Sequence, residues 1–315
     1  MVSMVNLKVD VGRLSLKNPV VIASGMPSAK VLKSAIDSGA AAVTTKTITP
    51  RPRAGHPTPT VVRVTCGYIN AVGLKNPGIE GFKRELKELV DYAVRREALV
   101  IGSVAGDTVD DYVRLSAAME EGGAHAVELN VSCPTVEEVF RTGIDVKYLV
   151  SVVRSVRSVL KVPLIVKISP VVLDVVYVVS KIWDAGADAV SAVNTVAPAT
   201  AIDIETGRVV LGNPEGFGGL SGPALKPIAI AKVLQIARSL DIPIIGTGGV
   251  MNWRDAVEMI MAGADAVGLL TAIFYYKGTQ FIRDILEGIR GYMARKGYSK
   301  VGEFKGLAVR SLGRA

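Results

Sequence analysis

Four segments of the chain are variations on one theme: SGAAAVTTKT from Ser38, GGAHAVELNVS from Gly122, AGADAVSAVNT from Ala185 and AGADAVGLLTA from Ala262. Each places a glycine at the close of a helical stretch, then small residues in a tight turn, then an apolar run that suits a buried strand. Further apolar runs at 19–23, 99–103, 164–168 and 244–247 bring the expected strands to eight. Segments of helical period at 107–121, 145–160, 172–184, 225–239 and 253–262 lie between them. Eight alternations of strand and helix predict an α/β chain with a parallel sheet closed as a (β/α)8 TIM barrel. A doubly wound open sheet is the alternative, and the internal repetition favours the barrel.

Two connections are too long for βα turns: 47–79, rich in proline and glycine, and 196–222. Both follow the C-terminal ends of expected strands, the second and the sixth, where barrel enzymes build their sites, so these insertions should cover the mouth. No linker divides the chain, and one domain over residues 1–315 is expected. The ends carry no secretory pattern, and no apolar run reaches the roughly 18 residues that span a bilayer. A cytoplasmic protein that is not membrane-bound is therefore expected.

The net charge of +8 admits nucleic acid as a partner, but Lys and Arg are scattered along amphipathic segments such as 83–96. A solvated basic surface is the plainer reading, and no nucleic-acid partner is expected. The two cysteines, Cys66 and Cys133, have neither metal-ligand spacing nor a disulfide framework, and His56 and His125 are the only histidines. Free thiols and no metal site follow.

The residues leaving the strands are Ser24-Gly25, Lys46-Thr47, Ser103, Asn130 with Ser132 and Cys133, Lys167 with Ser169, Asn194-Thr195, the 246–249 glycine turn and Leu270-Thr271. In a barrel they converge on one cavity. Two lysines and two asparagines ending apolar strands are costly to bury without a polar ligand or partner. IIGTGGVMNW runs from strand through glycine turn to a helix starting near Asn252, and GGLSG (218–222) is a second glycine loop. Glycines let backbone N–H groups approach an anion and a helix N-terminus adds its dipole, so together they suggest a phosphate site. For GTGG alone, a plain glycine turn explains the residues as well. Lys46 and Lys167 suit a flavin, whose reduced form a cation stabilises. Either lysine also fits an ion pair or a Schiff base, and two lysines beside phosphate fit an aldolase.

NPVVIASG (18–25), TTKTITPRPRAGHPTP (44–59), INAVGLKNPG (69–78), ELNVSCP (128–134), VKISP (166–170), AVNT with AIDIETGRVVLGN (192–213), GGLSGPALKP (218–227) and GTGGV with AGADAVGLLTA resemble the dihydroorotate dehydrogenases, in order and over nearly the whole chain. The resemblance implies an FMN-binding (β/α)8 barrel. FMN would meet Ser24, Lys46, Thr47, Asn130, Lys167 and Val193, with Gly222, Gly248, Gly249, Leu270 and Thr271 around its phosphate. Dihydroorotate would meet Lys46, Asn70, Ala71, Val72, Gly73, Leu74, Asn130, Asn194 and Thr195. Cys133 would be the catalytic base that removes the C5 proton.

A cysteine at that position is similar to the soluble class of the family, and AIDIETGRVVLGN with GLKNPG most resembles the type 1B catalytic subunit. That implies a partner subunit carrying FAD and an iron–sulfur cluster that passes electrons to NAD; a homo-oligomer is also expected. Three positions depart from the family's pattern. Thr135 replaces the asparagine that closes NxSCPN, VEEVFRTG replaces a glycine-rich loop, and Ser103 stands where an asparagine meets the flavin. Other readings are a dihydropyrimidine dehydrogenase-like flavoenzyme and a non-catalytic flavin-binding subunit; a tRNA dihydrouridine synthase is more distant, since it would need a basic RNA-binding extension that the residues do not show.

Overall fold

The eight apolar runs become the eight strands of a closed parallel barrel in the computed structural model, which describes residues 5–26, 28–131 and 145–312. The strands are β1 (Val20–Ile22), β2 (Ala42–Thr44), β3 (Leu99–Val104), β4 (Ala126–Asn130), β5 (Leu164–Ile168), β6 (Ala189–Ala192), β7 (Ile244–Thr247) and β8 (Ala266–Leu269). Neighbours in space are neighbours in sequence, and β8 closes against β1 through Val267↔Val20.

A helix follows each strand: α1 (Ala29–Asp37), α2 (Gly78–Val94), α3 (Val109–Glu121), α4 (Val146–Val159), α5 (Val175–Asp184), α6 (Lys226–Ser239), α7 (Trp253–Met261) and α8 (Phe281–Lys296). Five of them, α1, α3, α4, α5 and α7, start at side chains that satisfy orphan N–H groups of the first turn. Thr108 and Asp111 form a reciprocal capping box on α3, and Asp145 and Asp174 cap α4 and α5. Among the described residues no helix is long and apolar enough to cross a membrane.

Period-two alternation divides the strands between two apolar layers. Val21, Ala42, Ala126, Ile165 and Ile245 form one cluster inside the barrel; Val20, Val43, Val127, Val166 and Val267 pack in the other, with the helices. A hairpin of Val9–Val11 and Leu14–Leu16 adds Val11, Leu14 and Leu16 to the inner cluster. Its turn holds Arg13 against Asp188 at 2.9 Å, on the segment leading into β6. Above the inner cluster the inward positions turn polar.

The two long insertions meet in a single four-stranded antiparallel sheet, in the order Val196–Ala199, Gly218–Ser221, Gly67–Asn70 and Val61–Val64. Two contacts make glycine obligatory there. A Cβ on Gly218 would collide with the Asn70 carbonyl, and one on Gly219 with the Thr195 side chain. Asn76 ties the first insertion down, its Oδ1 accepting from the Gly78 amide at 2.8 Å and its Nδ2 donating to Thr49 Oγ1 at 2.8 Å.

Candidate active site

A cavity opens at the C-terminal end of the barrel, with strand ends as its floor and the insertion sheet as its wall. Its floor is a hydrogen-bonded chain of hydroxyls and amides. Ser24 Oγ donates to the Thr45 carbonyl at 2.8 Å and lies 3.0 Å from Thr47 Oγ1. Thr47 Oγ1 accepts from Asn130 Nδ2 at 3.1 Å, and Asn130 Oδ1 accepts from Asn194 Nδ2 at 3.2 Å. Asn194 Oδ1 in turn accepts from the Thr195 amide at 2.8 Å. Buried polar groups satisfied in this way hold one another in fixed orientation.

Lys167 enters this floor from β5, in register with Asn130 on β4. It is 5% exposed and lines the cavity, yet makes no hydrogen bond or ion pair with a described residue. A buried ammonium without a counter-charge is costly. Its position at the cavity surface is therefore suited to an electron-rich ligand. Lys46, from the end of β2, lines the same cavity.

At the other end stand Gly222, Gly248, Gly249, Leu270 and Thr271. The three glycines have φ of +97°, +128° and +72°, a region that favours glycine. For Gly249 a Cβ would stand 2.5 Å from Lys226 Cβ and 2.6 Å from its amide nitrogen. The Gly249→Ala substitution is expected to lower stability by about 1–3 kcal/mol and to weaken binding of a phosphate-bearing ligand. Thermal unfolding and fluorescence titration with FMN check the two effects.

The expectation that α7 offers its N-terminus to this anion is corrected by the geometry. Asp255 accepts from the amides of Met251 at 3.0 Å and Asn252 at 3.1 Å, and Asn252 Oδ1 accepts from Arg254 at 2.9 Å. The helix caps itself. Lys226 completes the cluster by donating to Asp255 at 2.7 Å and Glu258 at 2.8 Å, and these bonds raise its pKa above the ordinary value. What remains for a phosphate is the backbone of the glycine turns and of Leu270 and Thr271.

The wall carries Asn70, Val72, Gly73 and Leu74, facing Asn130, Asn194 and Thr195. Asn70 Nδ2 donates to the Gly219 carbonyl at 3.0 Å. Ala71, expected here, lies instead at 1% exposure in a small cluster with Ile69 and Leu211. Ser103 is also displaced from its expected place. It lies fully buried below the floor, 3.0 Å from Thr47 Oγ1 and 3.3 Å from Glu128 Oε1.

The cavity brings together Ser24, Lys46, Thr47, Asn130, Lys167, Val193, Gly222, Gly248, Gly249, Leu270 and Thr271, with the wall residues above, whereas Ser169 and Gly246, also expected at the mouth, do not line it. Ser132, Cys133, Thr135 and the 136–143 loop lie outside the described residues. Val61, Tyr68 and Phe274 line the cavity without having been expected. Tyr68 packs edge-on against Tyr275, with ring centroids 5.3 Å apart, and Phe274 is 39% exposed at the rim. Cys66 is exposed, away from the floor.

A glycine cradle for phosphate, a buried cation awaiting an electron-rich ring and a bank of amides fit a barrel that holds FMN beside a small polar substrate. The comparisons agree. The family model described as dihydroorotate dehydrogenase matches residues 6–293. A relative from Methanothermobacter thermautotrophicus, named dihydroorotate dehydrogenase B (NAD(+)), catalytic subunit, is 41% identical over 306 residues, covering 96% of this chain and 98% of its own. The protein of the same name from Pyrococcus furiosus is 42% identical over 307 residues, covering 96% and 99%. A crystal structure of the Eimeria tenella dihydroorotate dehydrogenase in complex with ferulenol shares the fold, with a TM-score of 0.83 at 23% identity over 97% of this chain and 89% of that one. The chain belongs to the dihydroorotate dehydrogenase family, whose members are FMN-dependent oxidoreductases.

Proposed function

We propose that this chain is the catalytic subunit that oxidises dihydroorotate to orotate in pyrimidine biosynthesis, with FMN as the immediate electron acceptor. The observation that carries the proposal is Lys167, buried at the floor of the cavity without an ion-pair partner among the described residues, beside the amides of Asn130 and Asn194. Ser24, Thr47, Asn130, Lys167 and Val193 hold the ring system, and Gly222, Gly248, Gly249, Leu270 and Thr271 hold the phosphate. FMN, when bound, supplies a two-electron acceptor that takes up the hydride leaving substrate C6.

The chain's own residues do the rest. Asn130 and Asn194 each spend an N–H and an oxygen lone pair on the floor, Asn130 on Thr47 and Asn194, Asn194 on Asn130 and Thr195, which fixes the two amides at the cavity. With Lys46 they suit a ring that carries both N–H groups and carbonyl or carboxylate oxygens, since an amide offers a donor and an acceptor and the ammonium attracts the anion. Asn70, Val72, Gly73, Leu74 and Thr195 enclose it. Cys133, as thiolate, takes the C5 proton, and the electron pair of that C–H bond becomes the C5–C6 double bond as hydride departs. A free thiol titrates near about 8.5, so the step speeds up as pH rises through that value or wherever the site lowers it.

The relatives are named catalytic subunits, and a further subunit goes with that name. We take this partner to carry FAD and an iron–sulfur cluster and to deliver electrons to NAD. With Cys66 and Cys133 alone, this chain has too few thiolates for a four-cysteine cluster. Residues 1–315 then act as one barrel domain in a cytoplasmic homo-oligomer.

Anaerobic mixing of the FMN-loaded chain with dihydroorotate is expected to bleach the flavin. Bleaching by dihydrouracil alone would assign the chain to dihydropyrimidine dehydrogenase-like chemistry. Bleaching by neither would leave a flavin-binding subunit without turnover.

A further inference from the structure

One titratable group inside the barrel has no part in the chemistry above. Glu128 lies on β4, two residues before Asn130, and is 3% exposed. Ala126 belongs to the inner apolar cluster, while Val127 and Leu129 pack with the helices. Period-two alternation therefore points Glu128 inward, between the apolar plug and the cavity floor. It accepts from Ser103 Oγ at 3.3 Å, and none of the ion pairs among the described residues includes it.

Two links join this carboxyl group to the floor. Ser103 Oγ lies 3.0 Å from Thr47 Oγ1, which accepts from Asn130 Nδ2 at 3.1 Å. The second link is through space. Glu128 pairs in register with Ile165 on β5, and Lys167, two residues further along the same inward face, pairs with Asn130. Carboxylate and ammonium thus occupy the same barrel interior without touching, in surroundings that screen charge weakly.

We propose that Glu128 is a negatively charged positioning residue that sets the electron affinity of the bound flavin by opposing Lys167 and by holding the Ser103–Thr47–Asn130 chain. The proposal rests on the FMN reading given above. Lys167 alone would stabilise the charge of reduced flavin and retain its electrons. A carboxylate beneath the same floor weakens that hold, as a subunit that must hand electrons onward requires.

The test compares wild type, Glu128→Gln and Glu128→Asp, each loaded with FMN and checked for stoichiometry by absorbance. Dissociation constants are then measured for oxidised and for reduced FMN. Glu128→Gln removes the charge at constant shape. It is expected to tighten reduced FMN relative to oxidised FMN about tenfold, equivalent to a midpoint potential about 30 mV higher for a two-electron couple. Glu128→Asp keeps the charge and should stay within about threefold of wild type. Should Glu128→Gln fail to fold, Glu128→Met replaces it with the same expected rise.

A packing role gives the opposite order, with glutamine harmless and aspartate disruptive, and that order would overturn the proposal. Wild type that binds FMN, with an unmoved ratio in Glu128→Gln, overturns the role of Glu128 alone. Wild type that takes up no FMN overturns the flavin reading itself.

Discussion

Cys133→Ala is expected to keep its FMN and to lose flavin reduction by dihydroorotate by a factor of about 10²–10⁴ at neutral pH, the usual contribution of a positioned base. Cys133→Ser should fall as far at neutral pH, because a hydroxyl is ionised far less readily than a thiol, and should regain rate as the solution is made alkaline. Anaerobic stopped-flow absorbance reads both variants directly. An alanine variant reduced at the wild-type rate would remove Cys133 from the chemistry and turn attention to Ser132, its neighbour in sequence.

The second large effect sets binding against stability. Lys167 is buried with no ion-pair partner among the described residues, and Glu128 opposes it without contact, so the ligand-free protein is expected to bear an electrostatic cost that bound flavin would relieve. Lys167→Met keeps the length of the side chain and removes the charge. FMN affinity is expected to fall at least about 100-fold, near 2.7 kcal/mol, while the ligand-free protein unfolds at the same temperature or higher, by about 1–3 kcal/mol in stability. Calorimetry of the ligand-free protein and fluorescence titration with FMN measure the two halves. A methionine variant that holds stoichiometric FMN at wild-type affinity would sink the assignment.

The barrel was legible because its information is local and repeated. A glycine closing a helix, a turn of small residues and an apolar strand recur often enough to count, and the count of eight decides the closure. The strand-end residues were legible for the same reason, since a barrel brings them to one mouth. The N-terminal hairpin escaped notice because its strands, Val9–Val11 and Leu14–Leu16, are too short for a periodic signal.

The misplacements have physical causes too. Asn70, on the wall strand Gly67–Asn70, faces the cavity, so the side chain of its neighbour Ala71 falls on the other side, among Ile69 and Leu211. The Asn70–Leu74 segment therefore presents its residues to two sides, as the alternation of a strand requires. The α7 N-terminus was credited to a ligand because Asn252 looked like a helix start. The same asparagine, with Asp255 three residues later, is what occupies those amides. Ser103 is shorter than an asparagine, and its hydroxyl finds Thr47 and Glu128 below the floor. The pairings across the insertion sheet, such as Asn70 with Gly219 across 149 residues of sequence, have no local signature at all.

That long-range sheet separates the wall of the cavity from its floor. Its strands belong to two surface excursions, whereas Lys167 and Asn130 are rooted in the barrel wall. A change of length or sequence in either excursion therefore reshapes the wall of the cavity without passing through the barrel strands that carry Lys167 and Asn130.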